Sequence, residues 1–325
     1  MKYVIFVVMV FVNASSLWSQ EDSVKDSSLG SDSSQFACSL LEGLLANNRS
    51  IQSYDVVVKQ KVFYDKPGVR AASLERTSRQ IFSSTMKKHL IAAKEIREST
   101  SQADDAVSAP PSVSIYGAIL GEGPDYFFSN EIMKGTRRMT SLGNVKQMLQ
   151  WPHEESTGFV YYPCTRNLEN AETKLWEQYM LPAGGAVGQM ISDDRASIKL
   201  TVASPDAMRN PDSDVVEYSW TFDLSSVVPT ERRATIVNPT SKRRIRKERE
   251  TFEWQEIEGV MVPKLIRGEK LKSFRNETGN VERYVVHSDT EFVWLSLNAK
   301  MKKEDFSQDR MDTRKSLGKL IEVEK

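Results

Sequence analysis

Histidine is the side chain best suited to proton transfer near neutral pH, and the chain has three of them: His89, His153 and His287. They lie far apart, and none has the HExxH or HxH spacing of a histidine metal site. Only His153 has neighbours typical of a site, because Glu154 and Glu155 follow it directly. A histidine with two carboxylates could bind a metal ion or shuttle a proton. The alternative, which we favour, is a solvated loop after a short helix.

Sequence motifs for covalent or phosphate chemistry are missing from the chain. It contains no GxSxG, SxxK, P-loop or GxGxxG pattern. The glycine-rich stretch 184–188 lacks the Lys-Ser/Thr of a phosphate-binding loop, and we interpret it as a helix break. The carboxylate pairs at 104–105 and 193–194 lie in predicted loops, where solvation explains them. The sequence therefore predicts no catalytic residue, no metal ligand and no cofactor. A secreted hydrolase built around His153 is the least favoured alternative.

The densest basic run is KRRIRK at 242–247. Such a run could contact anionic lipid headgroups or nucleic acid. Glu248 and Glu250 follow it at once, and the solvated end of a strand is the interpretation that we favour. Over the whole chain 44 Lys and Arg side chains balance 44 Asp and Glu side chains, which argues against a dedicated nucleic-acid-binding protein.

The chain has two cysteines, Cys38 and Cys164. They could form a disulfide in an oxidising compartment, or remain two buried thiols. The sequence leaves both alternatives open, and it has no CxxC spacing that would indicate zinc or thioredoxin chemistry.

The first twenty residues have the layout of a secretory signal peptide. Lys2 precedes an unbroken apolar run from Tyr3 to Val12, and small and polar residues follow. A helix of that length spans roughly 15 Å, about half of a bilayer core, which disfavours a membrane anchor. We predict cleavage after Ser19, with Ala14 as the alternative. The mature chain should be periplasmic or extracellular and should have no transmembrane span.

The remaining chain must supply the elements that position any site, and it divides into three parts. Residues 20–34 are rich in Ser and Asp and predict a flexible leader. Residues 35–300 predict a single β-rich domain, since no linker separates two cores. Residues 301–325 form a charged tail with a weak apolar stripe. The segment 142–192 contains helical spacing and a glycine break, and no role is assigned to it.

Hydrophobic periodicity places a short amphipathic helix before a series of strands. Its four leucines between 40 and 45 share one face. From residue 53 the period changes to two, as in a half-buried strand. The other predicted strands are 76–82, 88–96, 113–120, 126–133, 196–203, 215–224, 243–256, 260–272 and 281–297. Their connections in the second half are short, which requires antiparallel pairing.

Two blocks of the chain resemble proteins of the LolA-like superfamily, which are periplasmic lipoprotein carriers and their relatives. The first block is LLANNRSIQSYDVVV at 44–58. The second is FEWQEIEGVMVPK at 252–264, with the later strand FVWLSLN at 292–298. The resemblance implies an α+β fold: a strongly curved antiparallel sheet, or half-barrel, with helices packed on its concave face. It also implies an apolar cavity that binds acyl chains.

Aromatic and aliphatic side chains on the predicted strands are the candidates for lining such a cavity. They are Tyr54, Val56, Val58, Val62, Trp220, Phe222, Trp254, Phe292 and Trp294. For any single one of them ordinary core packing is the simpler interpretation. The resulting hypothesis is a secreted, noncatalytic carrier for a lipid or a lipoprotein acyl chain. The alternative is an envelope structural or protein-interaction module of the same fold, with an envelope protein as its partner.

Overall fold

The computed structural model describes residues 51–65, 73–98, 111–121, 126–133, 136–138, 187–203, 214–275 and 278–322, with parts of 33–50. The predicted signal peptide, both cysteines, His153 and the segment 142–186 lie outside the described residues. Thirteen strands account for most of what is described. They are β1 Ser53–Asp65, β2 Ser73–Ser83, β3 Lys88–Glu98, β4 Ser112–Gly121, β5 Tyr126–Met133, β6 Thr136–Arg138, β7 Val187–Ser192, β8 Arg195–Ala203, β9 Val215–Asp223, β10 Val228–Val237, β11 Arg244–Ile257, β12 Val260–Arg275 and β13 Val281–Leu297.

All thirteen strands belong to one sheet, in the order β6-β5-β4-β3-β2-β1-β13-β12-β11-β10-β9-β8-β7. Each half of the chain is a meander of sequential neighbours. The halves join where β1, the first strand, pairs antiparallel with β13, the last. The sheet is open, because β6 and β7 end it without pairing to each other. Every described strand pair is antiparallel, including those of the second half, for which the short connections predict it.

Alternation along β1 defines the two faces of the sheet. Face A carries Tyr54, Val56 and Val58 with their cross-strand partners, and all three side chains are buried. Face B carries Asp55, Val57 and the partners of these residues. Because side chains of a strand point alternately to the two faces, the register of each pair assigns every described residue to one face.

The expected α+β fold, a half-barrel with helices packed on its concave face, is wrong. The described residues form one large open antiparallel sheet, and helix is a minor part of them. Helical residues occur between 33 and 47, in two short 3₁₀ turns at Lys303–Phe306 and Gln308–Arg310, and in an eight-residue helix, Arg314–Ile321. The N-terminal helical residues contact face A, whereas the C-terminal helix packs on face B. Among the described residues, therefore, no helical layer covers one face.

The C-terminal helix, Arg314–Ile321, lies in the charged tail. Thr313 caps it, since its hydroxyl accepts from the backbone N–H of Ser316. Its buried side chains, Leu317, Leu320 and Ile321, join a cluster on face B. The sheet side of that cluster consists of Ile81, Leu90, Ala92, Ile115 and Ile119. The weak apolar stripe of the tail is thus a packing surface.

Strand β10 was not predicted from the sequence. Its segment VPTERRATIV contains a proline and two adjacent arginines, which hide the period of two. The structure buries Arg232 on face A and leaves Arg233 exposed on face B, so the alternation is present with a charged residue on the buried side.

Gly117 tests the packing of the C-terminal helix on face B. A Cβ at Gly117 would lie 2.8 Å from Leu317 Cδ2 and 3.0 Å from Met311 Sδ. We expect Gly117→Val to lower the free energy of unfolding by about 1–3 kcal/mol through overpacking. Gly318→Ala is the matched control: nothing lies within 4 Å of a Cβ there, and alanine should stabilise the helix by up to about 1 kcal/mol. Urea unfolding measures the free energy of unfolding of both variants. A Gly117→Val variant that is as stable as wild type would contradict this packing.

Candidate functional site

One apolar cluster on face A brings together eight of the nine side chains that the sequence nominated. Six are buried and two tryptophans are half-buried against them: Tyr54, Val56, Val58, Trp220, Phe222, Phe292, Trp254 and Trp294. The ninth, Val62, is half-buried on the same face, opposite Leu74 and Ser288. Both halves of the chain contribute to the cluster, which we call the face A cluster. Its role in binding stays a prediction.

Tyr54 is the centre of an aromatic group where the two halves of the sheet meet. Its ring centroid lies 5.2 Å from that of Phe82 in a stacked arrangement, and 5.9 Å from that of Trp294 edge-on. His89 approaches both Tyr54 and Phe82 edge-on, and its Nε2 lies 3.5 Å from the Tyr54 hydroxyl. His89 is therefore part of a packed aromatic group, as its burial also indicates.

Two half-buried tryptophans are held by hydrogen bonds to carbonyls of neighbouring strands. Trp254 Nε1 donates to the Pro229 carbonyl at 2.6 Å, and Trp294 Nε1 donates to the Pro263 carbonyl at 2.8 Å. Because proline has no N–H, these positions cannot donate to a neighbouring strand. The hydrogen bonds satisfy the indole N–H groups and leave the apolar rings against the face A cluster.

Helical residues near the N-terminus pack against the same cluster. Ala37, Leu40 and Leu44 are buried in it, as the leucine spacing predicts. Asn47 fixes the end of this segment, because its side chain donates to the Met261 carbonyl at 2.8 Å and accepts from the Met261 N–H at 2.9 Å. The Asn47 side chain thus hydrogen-bonds to both main-chain groups of Met261, as a neighbouring strand would, and it links the helical segment to β12.

A row of neutral polar side chains borders the cluster on face A. Gln60, Ser78, Gln80 and Thr290 are all at least 95% buried, with relative exposures of 2–5%. Register places Gln60 directly opposite Thr290, while Ser78 and Gln80 lie opposite Val58 and Val56. We call these four residues the polar row. Sequence analysis did not nominate them, although Gln60 falls in phase with the apolar positions of β1.

An ionic network continues on face A across β10, β11 and β12. Arg232, whose relative exposure is 1%, donates to Glu250 at 2.8 Å and to Glu248 at 3.1 Å. Lys270 reaches Glu248 at 2.7 Å. Burial alone would raise the pKa of Glu248, but the hydrogen bond from Lys270 and the charge of Arg232 outweigh burial, and the pKa lies below its usual range. Arg232 also lies 5.6 Å from the ring centroid of Tyr218.

Another buried carboxylate on face A lies on β3. Glu95 accepts from Arg76 Nη2 at 2.6 Å and from Arg97 Nε at 2.5 Å. Burial opposes ionisation of Glu95, yet the two arginines hold its pKa below the usual range. The Tyr116 hydroxyl lies 3.4 Å from the same carboxylate, and burial raises the pKa of Tyr116 to about 12. Glu248 and Glu95 are therefore ionised and paired with arginine at neutral pH.

The residues singled out for chemistry do not converge in the described part of the chain. His89 is buried among aromatic rings, and His287 is exposed on β13. Within that part no group of three or more His, Cys, Asp or Glu could hold a metal ion. The basic run pairs with acidic neighbours, as in Arg244 with Glu217 and Arg246 with Glu269. The solvated strand end is thus the better interpretation of the run.

No protein-family model matches the chain, and no curated protein matches it. Among solved structures it is similar to a DUF1329 family protein from Desulfovibrio piger, at 10% identity and TM-score 0.39, covering 84% of this chain and 98% of that one. It is similar to an outer membrane lipoprotein-sorting protein domain from Vibrio parahaemolyticus, at 7% identity and TM-score 0.36, covering 83% and 96%. A LolA superfamily protein from Nitrosomonas europaea has 12% identity and TM-score 0.35, covering 85% and 99%.

The solved structures to which the chain is similar include one that is named as a LolA superfamily protein, the group that the two sequence blocks resemble. Because each TM-score lies below 0.5, the function proposed below rests on the side chains of this chain and not on its neighbours. No helix among the described residues is long and apolar enough to span a membrane.

Arg232 tests the ionic network. We expect Arg232→Met to lower the free energy of unfolding at pH 7 by about 3–5 kcal/mol, because it removes the guanidinium that the buried carboxylates of Glu248 and Glu250 share. Arg233→Met is the matched control. The Arg233 side chain is 52% exposed in its pair with Glu231, so its loss should cost less than about 1 kcal/mol. Urea unfolding of wild type and of both variants measures the loss in free energy of unfolding.

At acid pH the difference in free energy of unfolding between wild type and Arg232→Met should become smaller. The lowered pKa of Glu248 means that its contribution to stability is present above the unfolded pKa of about 4.3 and is lost as pH falls through the folded pKa. In the variant the carboxylates take up protons more readily, which relieves the buried charge. If the free energies of unfolding of wild type and variant differ by the same amount at pH 7 and at pH 3.5, Arg232 acts by packing against Tyr218 alone.

Proposed function

We propose that this chain is a secreted, noncatalytic binding protein that holds a hydrophobic ligand, a lipid or a lipoprotein acyl chain, against face A. The observation that supports the proposal is the composition of that face. Aromatic and aliphatic side chains from both halves of the sheet meet in the face A cluster, and a row of neutral polar side chains borders it. Apolar and aromatic side chains with a few placed polar groups are the usual lining of a small-molecule site.

Hydrophobic transfer supplies enough free energy for such binding. Each methylene moved from water into an apolar environment contributes about 0.8 kcal/mol. An alkyl chain of ten methylenes therefore gains about 8 kcal/mol, from which the cost of association and ordering is subtracted. A single chain would bind reversibly, as a carrier that must also release its cargo requires.

The proposed compartment and partners follow from the signal peptide predicted at 1–19. Export would place the mature chain in the periplasm or outside the cell. Its partners there would be the hydrophobic ligand, or the lipoprotein that bears the acyl chain, and an envelope protein that delivers or receives it. Zero net charge gives no support for a nucleic-acid partner.

The alternative, an envelope protein-interaction module, needs a continuous apolar patch on the outside. Among the described residues of β1 and β13, face B exposes Phe63, Val281, Val293 and Leu295. In the register of these two strands, the pair Lys59 with Glu291 separates Phe63 from Val293 and Leu295. Val281 lies at the other end of β13, opposite Arg275 on β12. Exposed apolar side chains that are scattered in this way are normal. The carrier is therefore the function that we propose first.

Native mass spectrometry of the mature protein, purified from the envelope of its own host, tests the proposal. We expect a bound lipid or acylated peptide at close to one per chain, and organic extraction would identify it. A ligand-free mass, with no uptake of added fatty acid or phospholipid, would contradict the carrier and direct the search to a protein partner.

Tryptophan fluorescence should report binding directly. Trp220, Trp254 and Trp294 lie in or against the face A cluster. We expect a phospholipid brominated along its acyl chain to quench them by contact, while the same lipid without bromine does not. The combined variant Trp254→Phe, Trp294→Phe should lose much of the quenching and keep its affinity within about threefold. Quenching that is unchanged in the variant would place the ligand elsewhere.

A further inference from the structure

We propose that the polar row selects a ligand whose hydrogen-bonding group is uncharged, such as an ester or an amide next to its alkyl chain. The inference rests on the proposed function and names the ligand class for the same face. It concerns Gln60, Ser78, Gln80 and Thr290, which no sequence motif marks.

The first observation is a buried hydroxyl without a partner. Thr290 Oγ1 makes no hydrogen bond within the described part of the chain, and the relative exposure of Thr290 is 2%. Nearly all buried polar side-chain atoms in proteins are hydrogen-bonded, and each exception calls for an explanation. A polar atom of a ligand would supply the bond that Thr290 lacks.

The second observation is the position of Thr290. It lies opposite Gln60 on β1 and opposite Ile266 on β12, and Phe292, two residues further along β13, belongs to the face A cluster. On β1, Val58 likewise lies two residues from Gln60 and belongs to the face A cluster. An alkyl chain lying on the cluster can thus place a polar group two residues away, beside Gln60 and Thr290. Amide and hydroxyl side chains both donate and accept, and an ester or amide carbonyl would accept from either.

The third observation is that the buried charges nearby are already paired. Arg232 is held by Glu248 and Glu250, and Arg76 by Glu95. A ligand carboxylate or phosphate at the polar row would have to lose its water without gaining one of these cations, which costs much more than burying a neutral group. The row therefore disfavours free fatty acids and phosphate monoesters.

Competition binding with three probes of similar length tests the inference. The probes are decyl acetate (a neutral ester), 1-chlorododecane (which has no comparable hydrogen-bonding group) and dodecanoate (an anion), each displacing a fluorescent apolar dye. We expect decyl acetate to bind about tenfold more tightly than either of the others. Equal affinities for decyl acetate and 1-chlorododecane, or tightest binding of dodecanoate, would overturn the inference and leave the proposed function standing.

Thr290→Val removes the hydroxyl while keeping the shape of the side chain. We expect it to weaken decyl acetate binding about tenfold, to leave 1-chlorododecane unchanged, and to raise the melting temperature of the ligand-free protein. Thr77→Val is the matched control, because Thr77 lies on face B of β2 between Lys59 and Lys94. It should change neither affinity. Failure of all three probes to bind wild type would overturn the proposed function itself, whereas an unchanged preference in Thr290→Val would overturn only the role of the polar row.

Discussion

The pairing of β1 with β13 is the constraint on which the rest of the structure depends. It joins residues that are more than two hundred positions apart, with Tyr54 opposite Leu297 at one end and Asp65 opposite Val285 at the other. Without it the chain would be two separate meanders, each with an apolar face open to water. With it, the Tyr54 ring packs edge-on against Trp294, and Gln60 lies opposite Thr290. Both the face A cluster and the polar row cross this seam.

The register of the seam is as important as its existence. A slip of one residue would move the buried set of β1 to the other face. Asp55 lies opposite Ser296 but Val56 lies opposite Trp294, so Leu295 is an extra residue that forms a bulge in β13. On face B, Arg79 donates to Asp55 and to the Leu320 carbonyl. One arginine thus ties β1, β2 and the C-terminal helix together beside the bulge.

Sequence analysis could predict the elements whose patterns are local. Period-two alternation indicated β1 and most later strands, and the leucine spacing indicated the helical residues between 33 and 47. Eight of the nominated side chains lie together in the face A cluster. It could not predict which face the C-terminal helix covers, because that depends on pairing in space. Arg232 and Thr290 were missed because a buried polar residue departs from the apolar pattern by which strands are recognised. Only the neighbours that register supplies give such residues a role.

Photo-crosslinking with residue-level mass spectrometry tests the central claim most directly. An alkyl ester with a diazirine in mid-chain would be irradiated on the intact mature protein, and the modified residues would be read from fragment spectra. The account predicts modification of Val58, Phe292 and Ile266 on face A, and none at Val57 or Val293 on the opposite face of the same strands. Modification confined to face B, or spread equally over both faces, would contradict it.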